Sequence, residues 1–249
     1  MSRIFAWICA ILLFILGQSL PYAPSLPLLS RILGSVMGAL LPLSVLLLPP
    51  FRTSAALSIL PKHKKQWHLL FLFPLFLLFV CVLSFLGAKL GSLWGYTPPA
   101  HDDGPILQLI FLHALLPALS EEICFRYVGY RLLSPFGKTK WIWLSAIGFA
   151  LVHGSFAVMP YALGAGLVLC MLTETTHSPT LAILFHFFNN TASLVLTHYG
   201  DDATLPFWLS AGGLAIFSMI WMAFSKEKVI FLEFWHTFFP KKENQKTQP

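Results

Sequence analysis

Long apolar runs follow one another along this chain, and they constrain its fold more than any other feature. About eight of these runs approach the roughly 20 residues that an α-helix needs to cross the hydrocarbon core of a bilayer. Because backbone N–H and C=O groups find no water partner in lipid, such runs must be helical. The sequence therefore predicts an all-α protein, a polytopic transmembrane helical bundle of about eight spanning helices. The predicted spans are 4–20, 28–48, 68–90, 105–130, 141–157, 159–173, 179–197 and 205–224.

The composition agrees with a membrane protein of one domain. Hydrophobic residues make up 57% of the chain and charged residues 10%, whereas a soluble domain carries roughly 25% charged residues. We therefore predict a single integral membrane domain over residues 1–249. Residues 241–249 are polar and predict a disordered tail.

The positive net charge of +6 does not indicate nucleic-acid binding. The basic residues cluster in the loops 51–67 and 131–140 and after residue 224, which is the positive-inside pattern of membrane proteins. Aspartates mark the opposite loops, at 102–103 and 201–202. This alternation predicts a multi-pass protein with both termini in the cytoplasm, in the plasma membrane of a prokaryote. Residues 226–239 are too short and too charged to span, and they predict an interfacial helix.

Polar clusters interrupt three of the predicted spans. The charged groups of the first are Glu121, Glu122 and Arg126, and the second and third contribute His153 and the pair His186 and Asn190. A carboxylate or imidazole at membrane depth is costly unless it is paired or faces a wet cavity. Taken singly, these residues are typical of a structural ion pair, of buried histidines and of an interhelical amide contact. Taken together, they indicate a functional site.

The predicted topology places the three clusters at similar depths. At 1.5 Å per residue, the two glutamates lie about 13 Å from the cytoplasmic end of their span, and His153 lies about 18 Å deep. His186 and Asn190 lie about 10 and 16 Å deep by the same measure. The sequence therefore predicts an active site inside the membrane, toward the cytoplasmic side.

Helical spacing assigns the faces. Glu122 and Arg126 are four residues apart, which favours an intrahelical ion pair. Glu121 points about 100° away from Glu122 and stays available for another partner. His186 and Asn190 share one face, so we expect Asn189 to face elsewhere. Pro117 predicts a kink one turn before the glutamates, and His113, two turns before Glu121, is interpreted as a packing or interfacial residue.

This set of side chains is sufficient for peptide hydrolysis. A glutamate beside a histidine can accept a proton from water, and a second histidine with an asparagine can donate hydrogen bonds to an oxyanion. No Cys-x-x-Cys pair is present, nor the His-Glu-x-x-His zinc signature or the Gly-x-Ser-x-Gly serine signature. The favoured mechanism requires no cofactor. A divalent metal such as Zn is the alternative, with Glu121, His153 and His186 as its ligands.

The ordered motifs Glu-Glu-x-x-x-Arg, Phe-x-x-x-His and His-x-x-x-Asn resemble the CAAX protease and bacteriocin-processing intramembrane proteases, including the type II CAAX prenyl endopeptidases. The resemblance covers about residues 105–198, which would be the catalytic core. It implies that Glu121 and His153 activate water and that His186 and Asn190 hold the oxyanion. It also implies that Glu122 and Arg126 support Glu121. Both glutamate-type and metal-dependent mechanisms have been ascribed to this family.

The resemblance implies an endopeptidase acting on a membrane-associated protein or peptide, which carries a lipid in one substrate class. Membrane lipid and that substrate are the expected partners. Two other functions remain open at this point. Intramembrane acids and histidines also build proton-coupled transporters, although no internal repeat supports one here. A non-catalytic immunity or scaffold protein could use the same cavity to bind a partner.

Overall fold

The computed structural model describes residues 2–19, 26–51, 57–97, 104–226 and 228–238. Within these ranges the chain is helical and contains no strand. The predicted tail at 241–249, Arg52 and the aspartates at 102–103 lie outside them. The helices are α1 Arg3–Ser19, α2 Pro27–Val45, α3 Phe73–Ser92, α4 Ile106–Phe136, α5 Lys138–Val152, α6 Met159–Thr176, α7 Thr180–Tyr199, α8 Asp201–Phe224 and α9 Lys228–Phe238.

Among the described residues, five helical segments are long and apolar enough to cross a membrane, and the chain is an integral membrane protein. These segments are Pro27–Val45, Lys64–Ser92, Ile106–Phe136, Thr180–Tyr199 and Leu205–Phe224. The total of eight spans stays a prediction. The helix α5 has 15 residues and at 1.5 Å per residue is about 22 Å long, short of a hydrocarbon core of about 30 Å.

One core cluster is centred on Phe125 of α4. Its fully buried ring packs edge-to-face against Trp7 and Phe14 of α1 and against Phe149 of α5, with ring centroids 5.6, 5.5 and 5.3 Å apart. Aromatic pairs in this geometry contribute about 0.5–1.5 kcal/mol beyond their burial. The cluster therefore fixes α4 against α1 and α5 at the level of the Glu121–Arg126 segment.

A second core cluster joins α3, α6 and α7. It contains Phe76, Leu172 and Phe185, and Ile230 of α9 packs into it from one end of the bundle. The predicted helix at 226–239 is thus present as Lys228–Phe238, and part of it is buried against the other helices. The second cluster holds α7, which carries His186 and Asn190, beside α6.

The ends of several helices meet at one end of the bundle. Nη1 of Arg3 donates to the carbonyl of Arg131 over 3.3 Å, and Nε1 of Trp141 donates to Glu174 over 2.8 Å. Nε2 of Gln66 donates to the carbonyl of Thr175 over 2.9 Å. The described parts of the predicted loops 51–67 and 131–140 therefore lie at the same end as the start of α1. The second is mostly helical, since only Gly137 separates α4 from α5.

The helix α4 is not a regular α-helix. Two π-helical turns, Ile110–Leu115 and Ile123–Val128, flank the glutamate pair. Pro117 follows the first turn and has no N–H with which to continue the α-helical pattern. In the second turn the carbonyl of Phe125 accepts a hydrogen bond from Oγ of Ser145 over 2.6 Å. The sequence predicted an irregularity at Pro117 but not the two π turns, because π turns depend on tertiary partners that spacing does not reveal.

A tight turn ends α5 at His153. His153 follows the last helical residue as the C-cap, and Gly154 has a φ of +64°, the left-handed conformation that terminates many helices. The following turn packs against α3, where a Cβ at Gly87 would clash with the carbonyl oxygen of Ala157. The close approach of α3 therefore holds the turn in place.

Candidate active site

Four predicted site residues converge on one cavity. Its volume is about 270 Å³, and α4, α6 and α7 line it together with the end of α5. Glu121, His153, His186 and Asn190 all contribute to its wall, although they come from three distant parts of the sequence. The lining residues are His113, Pro117, Glu121, His153, Tyr161, His186, Asn190, Ser193 and Leu194.

Glu121 is partly exposed and lines this cavity. Its side chain is 18% exposed, whereas Oε2 itself is buried and has no hydrogen-bond partner among the described residues. The nearest imidazole nitrogen, Nε2 of His186, lies 3.8 Å away, which is too far for a hydrogen bond. The carboxylate can therefore accept a hydrogen bond from a water molecule.

Glu122 has a different environment. Its side chain is fully buried, with Oε2 2.9 Å from Nε of Arg126 and Oε1 2.8 Å from Nδ1 of His186. The first contact is the predicted ion pair within α4. The second contact joins α4 to α7 and was not predicted. Each carboxylate oxygen thus lies against a nitrogen of Arg126 or His186, and because the side chain is fully buried Glu122 is not accessible to a substrate.

Arg126 is a buried cation held by charge and by an aromatic ring. Its guanidinium carbon lies 4.4 Å from the centroid of the Phe149 ring, a distance typical of a cation–π contact. Although Nε is close to Glu122, the geometry is not that of an aligned hydrogen bond, and none of its three nitrogens has one among the described residues. Arg126 therefore depends on Glu122 for the neutralisation of its charge.

His153 has one ring nitrogen fixed by the backbone. Nδ1 lies 2.8 Å from the carbonyl oxygen of Phe149. Because a carbonyl oxygen only accepts, Nδ1 must carry a proton, and in the neutral ring Nε2 then carries the lone pair. The sequence motif Phe-x-x-x-His thus places a basic nitrogen on a side chain that lines the same cavity as Glu121.

His186 is oriented by Glu122. Its Nδ1 donates to the carboxylate of Glu122, and its ring packs edge-to-face against Phe149 with centroids 5.7 Å apart. When the ring is protonated, Nε2 is a second donor. Asn190 lies one helical turn further along α7 and lines the same cavity. The two residues can therefore present N–H groups to one oxygen atom of a substrate.

Tyr161 and His113 line the cavity although the sequence did not assign them to the site, and Asn189 has contacts that were not predicted. Asn189 was expected to face elsewhere than Asn190 and does not line this cavity; its Nδ2 donates to the hydroxyl of Tyr161 over 2.7 Å and lies 3.5 Å from Oδ1 of Asn190. His113 was interpreted as a packing residue, but it lines the cavity and its ring contacts Arg31. The position of His113 on the face of Glu121 was a usable signal, whereas nothing in the sequence marks Tyr161.

Two further cavities adjoin the first. One, of about 180 Å³, is lined by Gln18, Pro117, Glu121 and His153 with Phe14 and Val152. Glu121 and His153 therefore stand between two open volumes, and water can reach them from either one. The other cavity, of about 460 Å³ and lined mainly by α3, α6 and α7, shares Tyr161, Asn190 and Ser193 with the first cavity.

The positions of the side chains determine whether this site could hold a metal ion. Among the described residues, no group of three or more His, Cys, Asp or Glu side chains is arranged to hold a metal ion. Glu121, His153 and His186 line one cavity, but they do not form such a group. We therefore derive no step of the reaction through a metal.

Comparison with known families confirms the resemblance found in the sequence. Residues 103–192 match the family described as "Type II CAAX prenyl endopeptidase Rce1-like", which is a protease family. All six predicted site residues lie within the matched segment. No curated protein and no solved structure matches the chain.

Proposed function

We propose that this chain is an intramembrane endopeptidase that hydrolyses a peptide bond of a membrane-associated protein or peptide. The observation that carries the proposal is the convergence of Glu121, His153, His186 and Asn190 on one cavity. The family match supports a protease that acts on protein substrates in the membrane. The name of the matched family further suggests a prenylated substrate.

Water activation is assigned to Glu121 and His153. Glu121 and His153 line the same cavity, where the carboxylate of Glu121 and the lone pair on Nε2 of His153 can both accept hydrogen bonds from one water molecule. As the water oxygen attacks the scissile carbonyl carbon, Glu121 takes up the proton. The same proton then passes to the leaving nitrogen when the C–N bond breaks, so the carboxylate returns to its starting state. General acid–base catalysis of this kind contributes about 10²–10⁴-fold.

The oxyanion is assigned to His186 and Asn190. The attack places negative charge on the former carbonyl oxygen, and the Asn190 amide and the protonated Nε2 of His186 donate to it. Glu122 accepts from Nδ1 of His186 over 2.8 Å and so fixes the orientation of the ring. Because these donors are oriented before the reaction, they stabilise the transition state without reorganisation.

Glu122 and Arg126 act as positioning residues in this mechanism. Neither side chain is exposed, and neither lines the cavity. Glu122 holds the His186 ring through Nδ1. The Phe149 ring contacts both Arg126 and His153. The arrangement gives the two adjacent glutamates different roles.

We further propose that the basic end of the bundle faces the cytoplasm. The loop 131–140 carries Arg131, Lys138 and Lys140, and the start of α1 lies beside Arg131. Positive charge is retained on the cytoplasmic side of membrane proteins. A substrate would then enter the site from the cytoplasmic half of the bilayer.

The proposal is tested by peptide cleavage with the purified full chain in proteoliposomes. The substrates are a fluorogenic peptide with a prenylated cysteine and its unmodified counterpart, and mass spectrometry locates the cleaved bond. We expect cleavage of at least the prenylated peptide and a loss of about 10³-fold in Glu121→Gln.

Glu174→Gln is the matched control, because Glu174 only accepts from Trp141 at the end of the bundle. Its turnover should equal that of the unmodified protein. Absence of cleavage of either peptide by the unmodified protein, or full turnover in Glu121→Gln, would refute the proposed function.

A further inference from the structure

We infer that the hydroxyl of Tyr161 is a third hydrogen-bond donor to the oxyanion, and that Asn189 orients it. This inference rests on the proposed function. Tyr161 lies in the second position after Met159 at the start of α6, and it lines the cavity that also contains Glu121, His153, His186 and Asn190.

The hydrogen bond from Asn189 leaves the hydroxyl proton of Tyr161 uncommitted. Nδ2 of Asn189 donates to the Tyr161 oxygen over 2.7 Å. A phenol oxygen that accepts a hydrogen bond still carries its own proton and can donate it to another group. No second hydrogen bond of this hydroxyl is present among the described residues. The proton is therefore available to the cavity that the side chain lines.

The orientation of the Asn189 amide has a second support. The same Nδ2 lies 3.5 Å from Oδ1 of Asn190, at the limit of a hydrogen bond. A donor nitrogen in this place satisfies two oxygen atoms, whereas the opposite orientation would place two amide oxygens against each other. Because Oδ1 of Asn190 is the atom near Asn189, its own Nδ2 is the amide atom left to donate to a group in the cavity that Asn190 lines. The buried amide of Asn189 thus orients two donors, the hydroxyl of Tyr161 and the amide of Asn190.

Tyr161 lies on the wall that two cavities share. Tyr161 and Asn190 both line the 270 Å³ cavity and the 460 Å³ cavity. A peptide carbonyl seated at this wall would meet the amide of Asn190 on one side and the phenol of Tyr161 on the other. No proton is transferred from Tyr161 at any step, because its part is to donate a hydrogen bond while charge accumulates on the oxygen.

The test uses Tyr161→Phe, which removes the hydroxyl and retains the ring. Removal of one oxyanion donor lowers kcat by about 10²–10³-fold, so we expect a fall of that order with KM changed by less than about twofold. A phosphonate analogue of the peptide, which mimics the tetrahedral intermediate, should lose affinity by the same factor as kcat/KM. A residue that only packs would not produce that parallel loss.

Tyr127→Phe is the matched control, since the Tyr127 hydroxyl contacts Arg131 and is absent from the cavity lining. It should retain both turnover and phosphonate affinity. Unchanged kcat and phosphonate affinity in Tyr161→Phe would overturn the inference, and so would a rise in KM at constant kcat. If the unmodified protein is active, either result refutes the role of Tyr161 and leaves the proposed function intact. Failure of the inference and failure of the proposed function are therefore distinguishable.

Asn189→Asp is a second variant, and it tests the inference even if Tyr161→Phe does not fold. An ionised carboxylate only accepts hydrogen bonds, so it would draw the Tyr161 proton away from the cavity. We expect kcat to fall as in Tyr161→Phe, and the double variant to lose little more than either single one. Full turnover in Asn189→Asp would show that Asn189 does not orient the hydroxyl.

Discussion

Oε1 of Glu122 lies 2.8 Å from Nδ1 of His186, and this contact joins α4 to α7 in a place where neither residue is appreciably exposed. Glu122 is thereby engaged on both sides, with Arg126 on the other oxygen. Its neighbour Glu121 keeps a carboxylate oxygen without a partner among the described residues. Adjacent residues of one type thus differ in environment, and the difference can be measured.

The two glutamates should respond differently to the same substitution. Glu121→Gln is nearly isosteric and should retain its thermal stability in detergent while it loses turnover. Glu122→Gln leaves the Arg126 charge buried without a counter-ion, and loss of one partner from a buried pair costs about 3–5 kcal/mol. It should therefore lower both the melting temperature and the turnover. A stable but inactive Glu122→Gln beside an active Glu121→Gln would reverse the assignments.

The histidine at the end of α5 should act through Nε2. His153→Gln should reduce kcat by about 10²–10⁴-fold, because a glutamine amide cannot take part in proton transfer as the imidazole does. The control is His198→Gln, a substitution at the exposed end of α7. The measurement is the steady-state turnover of the two variants. Equal rates would contradict a role for His153 in water activation.

Cleavage should survive the removal of divalent metal ions. The described carboxylates, imidazoles and thiols provide no group of three ligands for one ion, and the mechanism uses none. Turnover should therefore be the same before and after dialysis against EDTA, with phenanthroline as a second chelator. A loss of turnover that added Zn²⁺ reverses would show that the reaction depends on a metal ion.

The Ser145 hydroxyl should stabilise the second π-helical turn of α4. It donates to the Phe125 carbonyl over 2.6 Å, and both residues are buried. In Ser145→Ala that carbonyl loses its side-chain donor, which costs about 1–3 kcal/mol. Thermal unfolding in detergent should show a lower melting temperature than in Ser44→Ala, whose exposed hydroxyl bonds only its own helix. Equal melting temperatures would argue against the contact.

The orientation can be tested by cysteine labelling in intact cells. After replacement of the four native cysteines, a cysteine at Lys138 should be protected from an impermeant maleimide, and one at Thr97 should react with it. Permeabilised cells provide the control, since both positions should then react. Labelling of the residue 138 position from outside would invert the proposed orientation and the side on which the substrate enters.

The helical class and the side chains that meet could be predicted from the sequence, because both follow from local rules. The apolar runs predicted helices, and the four-residue spacing of Glu122 and Arg126 predicted an ion pair that is present. The contact of Glu122 with His186 joins residues 64 positions apart in the chain, and no periodicity encodes it. The contact of Asn189 was not predicted for the same reason, since its partner Tyr161 lies on another helix. The π turns also depend on partners such as Ser145.

The π-helical turn at Ile110–Leu115 also affects how relatives of this chain can be found. A π turn contains one residue more per hydrogen-bonded ring than an α turn. A relative with a regular helix in this place would be one residue shorter between the start of the helix and its glutamate pair. A search pattern with fixed spacing from His113 to Glu121 would pass over such a relative. The pattern should therefore start at Glu121 and allow a single-residue gap before it.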